Sequence, residues 1–107
     1  MWNTCHVSSL SGQAATDSVL LQLGAGGWKR YEIDADGRHM TVEPGLILGD
    51  CNRLLAPLGR KLGPDPSSID SCWIGGVVAN NSSGMCCGVK QNSYHTIEDC
   101  ASSGHVL

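Results

Sequence analysis

Two short stretches restrict the backbone of this chain more than any others: Gly63-Pro64-Asp65-Pro66-Ser67-Ser68 and, a few residues on, Ile74-Gly75-Gly76-Val77-Val78-Ala79-Asn80-Asn81-Ser82-Ser83-Gly84. The prolines fix φ and make a rigid turn, while the paired glycines lack Cβ and can take positive φ. A backbone so stripped of bulk admits a ligand against the main chain. The run of Asn and Ser places carboxamides and hydroxyls beside exposed backbone N–H groups, a combination suited to a flat, polar ligand carrying phosphates. The same residues also have a purely architectural reading. Asp65 between two prolines can organise a turn, Ser67 and Ser68 can cap the next helix, and Asn80 and Asn81 can satisfy loop backbone.

Around these stretches the periodicity is mixed. Residues 18–23 form an apolar run of strand length, and residues 28–34 alternate, with Tyr31 and Ile33 expected inward. Asp36-Gly37 favours a tight hairpin, after which residues 38–43 resume alternation with Met40 and Val42 on one face. A β-hairpin over residues 28–43 is therefore predicted. Beyond Pro44-Gly45, Ile47, Cys51, Leu54, Leu55 and Leu58 recur at helical spacing, with Asp50, Asn52 and Arg53 opposite. Pro57 cannot donate to the ladder and Gly59 can cap, so this helix should finish near Leu58. A short helix across residues 74–80 would set Gly75, Gly76 and Ala79 on one side. Beyond Gly88 the periodicity fades.

At 107 residues, 41% of them hydrophobic and 16% charged, the chain has room for one small globular domain. It contains no Phe, three Trp and two Tyr, so burial must come mainly from Leu, Val and Ile. The net charge of -3 with scattered Lys and Arg argues against nucleic acid as partner. No apolar run approaches the ~20 residues of a membrane span and no secretory signal is evident, so a cytoplasmic location is expected. The six cysteines, Cys5, Cys51, Cys72, Cys86, Cys87 and Cys100, contain no Cys-x-x-Cys pair. Adjacent Cys86 and Cys87 do not easily direct both sulfurs to one tetrahedral ion, and His6, His39, His95 and His105 are scattered. Reduced, largely apolar thiols are the expectation, with no metal site.

Upstream stands Ser8-Ser9-Leu10-Ser11-Gly12-Gln13-Ala14, and between it and the proline turn lie Thr41-Val42-Glu43-Pro44-Gly45 and Leu58-Gly59-Arg60-Lys61-Leu62-Gly63. In this order and spacing, from about Ser8 to Thr96, the chain resembles the FAD-binding domain of FAD-linked oxidases, the flavoproteins that include D-lactate dehydrogenase and the glycolate oxidase flavin subunit. The resemblance implies an α+β fold, a partial FAD-binding domain of the PCMH type, with a mixed β-sheet, a hairpin and one or two packed helices. It implies FAD as cofactor. It further implies that Ser8, Ser9, Leu10, Ser11, Gly12 and Gln13 wrap the pyrophosphate. Pro64, Asp65, Pro66 and Ser67 would form a wall beside the flavin and ribityl chain, and Gly75, Gly76, Asn80, Ser82, Ser83 and Gly84 would complete the cleft. In this family the pyrophosphate loop usually opens with an arginine or similar residue and a glycine-rich run, whereas Thr4, Cys5, His6 and Val7 stand here. Family members also carry a subdomain before this loop and a separate substrate domain. The expectation is thus one partial domain over residues 1–107, a central piece of a 2-hydroxy-acid-oxidising flavoenzyme. Alone, it should be inactive, bind FAD weakly or not at all, and self-associate through uncovered apolar faces; the alternative is a non-catalytic binding module derived from the same fold.

Overall fold

The computed structural model describes residues 17–19 and 26–100. The elements follow in the order β1 (Tyr31–Ile33), β2 (Met40–Val42), α1 (Leu48–Leu55), a 3-10 turn (Ala56–Leu58), α2 (Ile74–Ala79) and α3 (Ser93–Thr96). Most of the remaining 63–72 and 80–92 stretches are turns. No helix among the described residues is long and apolar enough to cross a membrane.

The hairpin forms in the register that alternation demands, with Tyr31 opposite Val42, Glu32 opposite Thr41 and Ile33 opposite Met40. Ile33, Met40 and Val42 are half-buried and Thr41 is exposed, as a two-residue period requires. Tyr31, expected inward, is exposed. It shares the inner face with Ile33, yet at 49% exposure it lies at the open end of a two-stranded ribbon. The connection is also looser than the tight turn expected of Asp36-Gly37. Asp34 N–H donates to the His39 carbonyl at 3.1 Å and Gly37 N–H to the Asp34 carbonyl at 2.8 Å, giving a four-residue loop with Gly37 at φ 65°. Among the described residues the sheet comprises these two antiparallel strands, so they provide a hairpin but no mixed sheet. The strand expected over residues 18–23 lies largely outside the described residues.

Helix α1 buries Cys51 and Leu55 of the stripe read from the sequence and leaves Leu54 and the preceding Ile47 half-buried, while Leu48, outside that stripe, is fully buried. Pro57 then stops the α-helical ladder and the chain tightens into the 3-10 turn, where each residue advances about 120° instead of 100°. That change of phase rotates Leu58 off the stripe. Expected on the buried face, it is 50% exposed. Gly59 closes the element at φ 67°, its N–H on the Ala56 carbonyl and Arg60 N–H on the Leu55 carbonyl.

The core is small. Leu48, Cys72 and Val77 form its centre, with Leu62, Ile69 and Ile74 packed against them. It therefore joins α1, α2 and the intervening loop rather than the hairpin. Backbone pairing reinforces this joint: Leu48 N–H donates to the Cys72 carbonyl at 3.0 Å, Gly49 N–H to Ile69 at 2.9 Å, and Ile74 N–H to Leu46 at 2.9 Å. Ile47 and Trp73 form an antiparallel bridge at its middle. The first N–H groups of α1 and α2 are thus met by backbone carbonyls, which is why neither helix needs a side-chain cap.

Candidate flavin-cleft segment

The same antiparallel joint brings two of the sequence motifs together. Gly75 N–H donates to the Pro44 carbonyl at 3.0 Å, so the segment Thr41-Val42-Glu43-Pro44-Gly45 lies against the start of α2 and its Gly75-Gly76 pair. That segment is itself anchored. Glu43 N–H donates to the Arg30 carbonyl at 2.9 Å, while the Glu43 carboxylate accepts from Arg30 N–H at 2.9 Å and from Arg30 Nε at 2.7 Å. The Arg30 backbone N–H, with its guanidinium, holds the Glu43 carboxyl below the usual carboxylate range. Gly45 is required by packing, since a Cβ there would stand 2.6 Å from the Gly27 carbonyl oxygen and 2.8 Å from that of Trp28.

Helix α2 ends in a complete Schellman motif: Ser82 N–H reaches the Val77 carbonyl at 2.9 Å and Asn81 N–H the Val78 carbonyl at 3.1 Å, with Asn81 at φ 44°. Asn81 thus performs the backbone role that its sequence context allows, and its Oδ1 also accepts from Tyr94 N–H at 3.0 Å. Ser82 is buried. Its carbonyl accepts both Ser93 N–H at 3.0 Å and Ser93 Oγ–H at 2.8 Å, which docks α3 beneath the polar loop. α3 was not evident from periodicity, but the Asn92 side chain accepting from His95 N–H is an N-cap with a local signature.

The proline turn and the Asn-Ser-Gly loop meet directly. Asp65 spreads its carboxylate over two successive amides, accepting Cys86 N–H on Oδ2 at 3.1 Å and Cys87 N–H on Oδ1 at 3.2 Å. Gly84 sits on this residue so closely that a Cβ would collide with Asp65 Oδ1 and its carbonyl oxygen, and would lie 2.5 Å from its carbonyl carbon. Partial desolvation works against ionisation of Asp65, but the hydrogen bonds from Cys86 and Cys87 outweigh it and hold the carboxyl below its usual range. Pro64 is buried beneath. Ser67 and Ser68 belong to the turn over residues 67–71, where the Ser68 carbonyl accepts Ser71 and Cys72 N–H groups at 2.8 Å each. They do not cap α2, whose N-cap position is Trp73.

Of the residues expected at a flavin site, the structure therefore joins Pro64, Asp65 and Gly84 on one side. It sets Gly75 and Gly76 beside the Thr41–Gly45 segment on the other. The shared core of Leu48, Ile69, Cys72 and Val77 links the two. Ser67, Asn80 and Ser83 are exposed, and Gly76 and Ser82 are buried. Ser8, Ser9, Leu10, Ser11, Gly12 and Gln13 lie outside the described residues. The described cysteines, Cys51, Cys72, Cys86, Cys87 and Cys100, are all free thiols. Burial pushes the Cys51 thiol up to about 12 and also raises that of Cys72.

This geometry accompanies a family assignment. The profile of the FAD binding domain family matches residues 4–101, and the chain belongs to that family. Among characterised proteins it is similar to glycolate oxidase subunit GlcD of Escherichia coli (strain K12), 39% identical over 56 residues covering 52% of this chain and 11% of that protein. It is also similar to the Bacillus subtilis (strain 168) glycolate oxidase subunit GlcD, 41% identical over 54 residues, 50% of this chain and 12% of the relative. The match to D-2-hydroxyglutarate dehydrogenase of Pseudomonas putida is 26% identical over 89 residues, 82% of this chain and 9% of that enzyme. The chain spans about a tenth of the length of these relatives. No solved structure matches it.

Proposed function

We propose that this chain supplies the proline-turn and glycine-helix portion of an FAD cleft in a flavin-dependent oxidase or dehydrogenase of 2-hydroxy acids. The observation that carries this reading is the antiparallel joint of residues 44–49 with 69–75. It seats the Thr41–Gly45 segment on Gly75 at the head of α2, within a sequence matched along its length by an FAD-binding family. Supporting the substrate class, the named relatives act on glycolate and D-2-hydroxyglutarate, both 2-hydroxy carboxylates.

The donor set suits the cofactor. Exposed Ser67, Asn80 and Ser83 offer neutral hydroxyls and a carboxamide, the groups that pair with flavin carbonyls and ribityl hydroxyls without trapping a charge. Gly75 keeps the helix head free of a side chain where the cofactor would approach, buried Gly76 lets the backbone pack closely behind it, and Pro64 and Pro66 stiffen the facing wall. Buried Ser82, with Gly84, shapes the loop from beneath. Ser8, Ser9, Leu10, Ser11, Gly12 and Gln13 are the proposed pyrophosphate loop. Bound in such a cleft, FAD would accept the electron pair from the hydroxy acid, and the protein's task is to position it.

Alone the chain presents only part of the cleft, so weak, saturable binding is expected, without retention of flavin through gel filtration. FAD titration followed by flavin fluorescence tests this. Saturable quenching by FAD that free riboflavin does not reproduce would support the reading, and a flat titration up to millimolar FAD would refute it.

A further inference from the structure

Asp65 reaches across the chain to two amides more than twenty residues away, and each of its carboxylate oxygens accepts one of them. We propose that Asp65 is a positioning residue of the cofactor cleft. Its carboxylate, gripping Cys86 and Cys87 N–H with Gly84 seated on it, fixes the 84–88 turn to the proline wall and holds Ser83 in place, without itself touching the cofactor. This deepens the flavin-cleft reading and rests on it only for the identity of the ligand.

Three observations converge. Both carboxylate oxygens are engaged by successive N–H groups, so the head of Asp65 faces the loop. Gly84 leaves no room for a Cβ, so loop and aspartate are shaped to one another. The loop is held from its other side by the Ser82–Ser93 and Asn81–Tyr94 hydrogen bonds, so releasing Asp65 would free residues 84–88 alone. The titratable and charged groups that bear on the clamp are the Asp65 carboxylate, the Cys86 and Cys87 thiols and Lys61. The carboxylate's hydrogen bond with Cys86 and its negative charge push that thiol up, so an exposed cysteine is kept protonated and slow to react.

The full chain and its Asp65→Asn and Gly84→Ala variants test the proposal by NMR and by alkylation with iodoacetamide, followed by peptide mapping. In the wild type, the Cys86 and Cys87 amide protons are expected to titrate together, with a midpoint below the usual carboxylate range. In Asp65→Asn this titration should vanish, amide exchange at both positions should rise about ten- to a hundredfold, as loss of charge-assisted hydrogen bonds implies, and Cys86 alkylation should accelerate. Exchange at Val77 should not change. Gly84→Ala, which leaves the carboxylate present but displaces it, should reproduce the faster exchange. Flat Cys86 and Cys87 amides in the wild type, or unchanged exchange and alkylation in Asp65→Asn, would overturn the clamp. A wild-type chain with an intact clamp titration but no response to FAD would instead sink the flavin reading and leave the clamp standing.

Discussion

Replacing Leu48 by alanine should remove more stability than any comparable change at the leucines of the helical segment, because Leu48 is fully buried at the centre of the joint between α1, α2 and the intervening loop. The three lost carbons cost about 2.4 kcal/mol at ~0.8 kcal/mol each. A residual cavity between Cys72 and Val77 raises the total to roughly 3 kcal/mol, within the ordinary range for buried leucines. A domain of this size and modest core starts from only about 5 kcal/mol or somewhat more. With a urea m-value of about 2 kcal/mol/M, the unfolding midpoint should fall by roughly 1.5 M. Leu58→Ala makes the control, since Leu58 belongs to the apolar series read from the sequence yet is half-exposed against Gly37; its cost should be about 1 kcal/mol. Equal midpoint shifts for the two variants, or a larger one at Leu58, would refute the placement of the core.

Other expectations follow from particular residues. Gly76→Val puts a branched side chain at a buried position in α2, so it should cost about 1–3 kcal/mol and abolish any FAD-induced rise in melting temperature; a thermal shift with FAD that survives the substitution would contradict its place in the cleft. Under native conditions near pH 8, iodoacetamide should leave Cys51 and Cys72 unmodified while reaching exposed Cys100, and peptide mapping that finds Cys51 alkylated before unfolding would count against its burial. His39 is held by Asp34 at 3.0 Å and Glu98 at 3.1 Å, which raise its pKa above the ordinary value of 6.5. Its contribution is therefore complete below the unfolded value and lost as pH rises through the higher folded one. All these groups are exposed, so the effect should be small and weakened by salt. A stability difference between wild type and His39→Gln that grows with rising pH would have the wrong sign.

Much of the local architecture was legible because its causes are local. The Met40–Val42 alternation sets the hairpin face, the Cys51–Leu55 spacing marks the buried stripe of α1 without pointing to Leu48, which the crossing with residues 69–77 buries, and Gly59 marks the end of the helical segment. The position of Leu58 departs from the helical spacing because an angular count assumes 100° per residue and Pro57 changes that step. The looser hairpin loop is not encoded by Asp36-Gly37, because Asp-Gly serves both a two-residue turn and the four-residue loop closed between Asp34 and His39. At the candidate site, the pairing of Pro44 with Gly75 and of Asp65 with Cys86 and Cys87 joins residues twenty or more positions apart. No propensity or spacing encodes such contacts. The order of motifs could suggest that these segments converge, but only the folded chain shows that Asp65 faces the loop.

The central claim, that this segment carries part of an FAD cleft, is met most directly by amide chemical-shift mapping of the full chain during FAD titration. The expected result is a saturable set of shifts confined to Ser67, Gly75, Gly76, Asn80, Ser83 and residues 8–13, with Tyr31–Ile33 of the hairpin unmoved. Shifts that cluster on Tyr31–Ile33, or spectra that do not change at millimolar FAD, would contradict it.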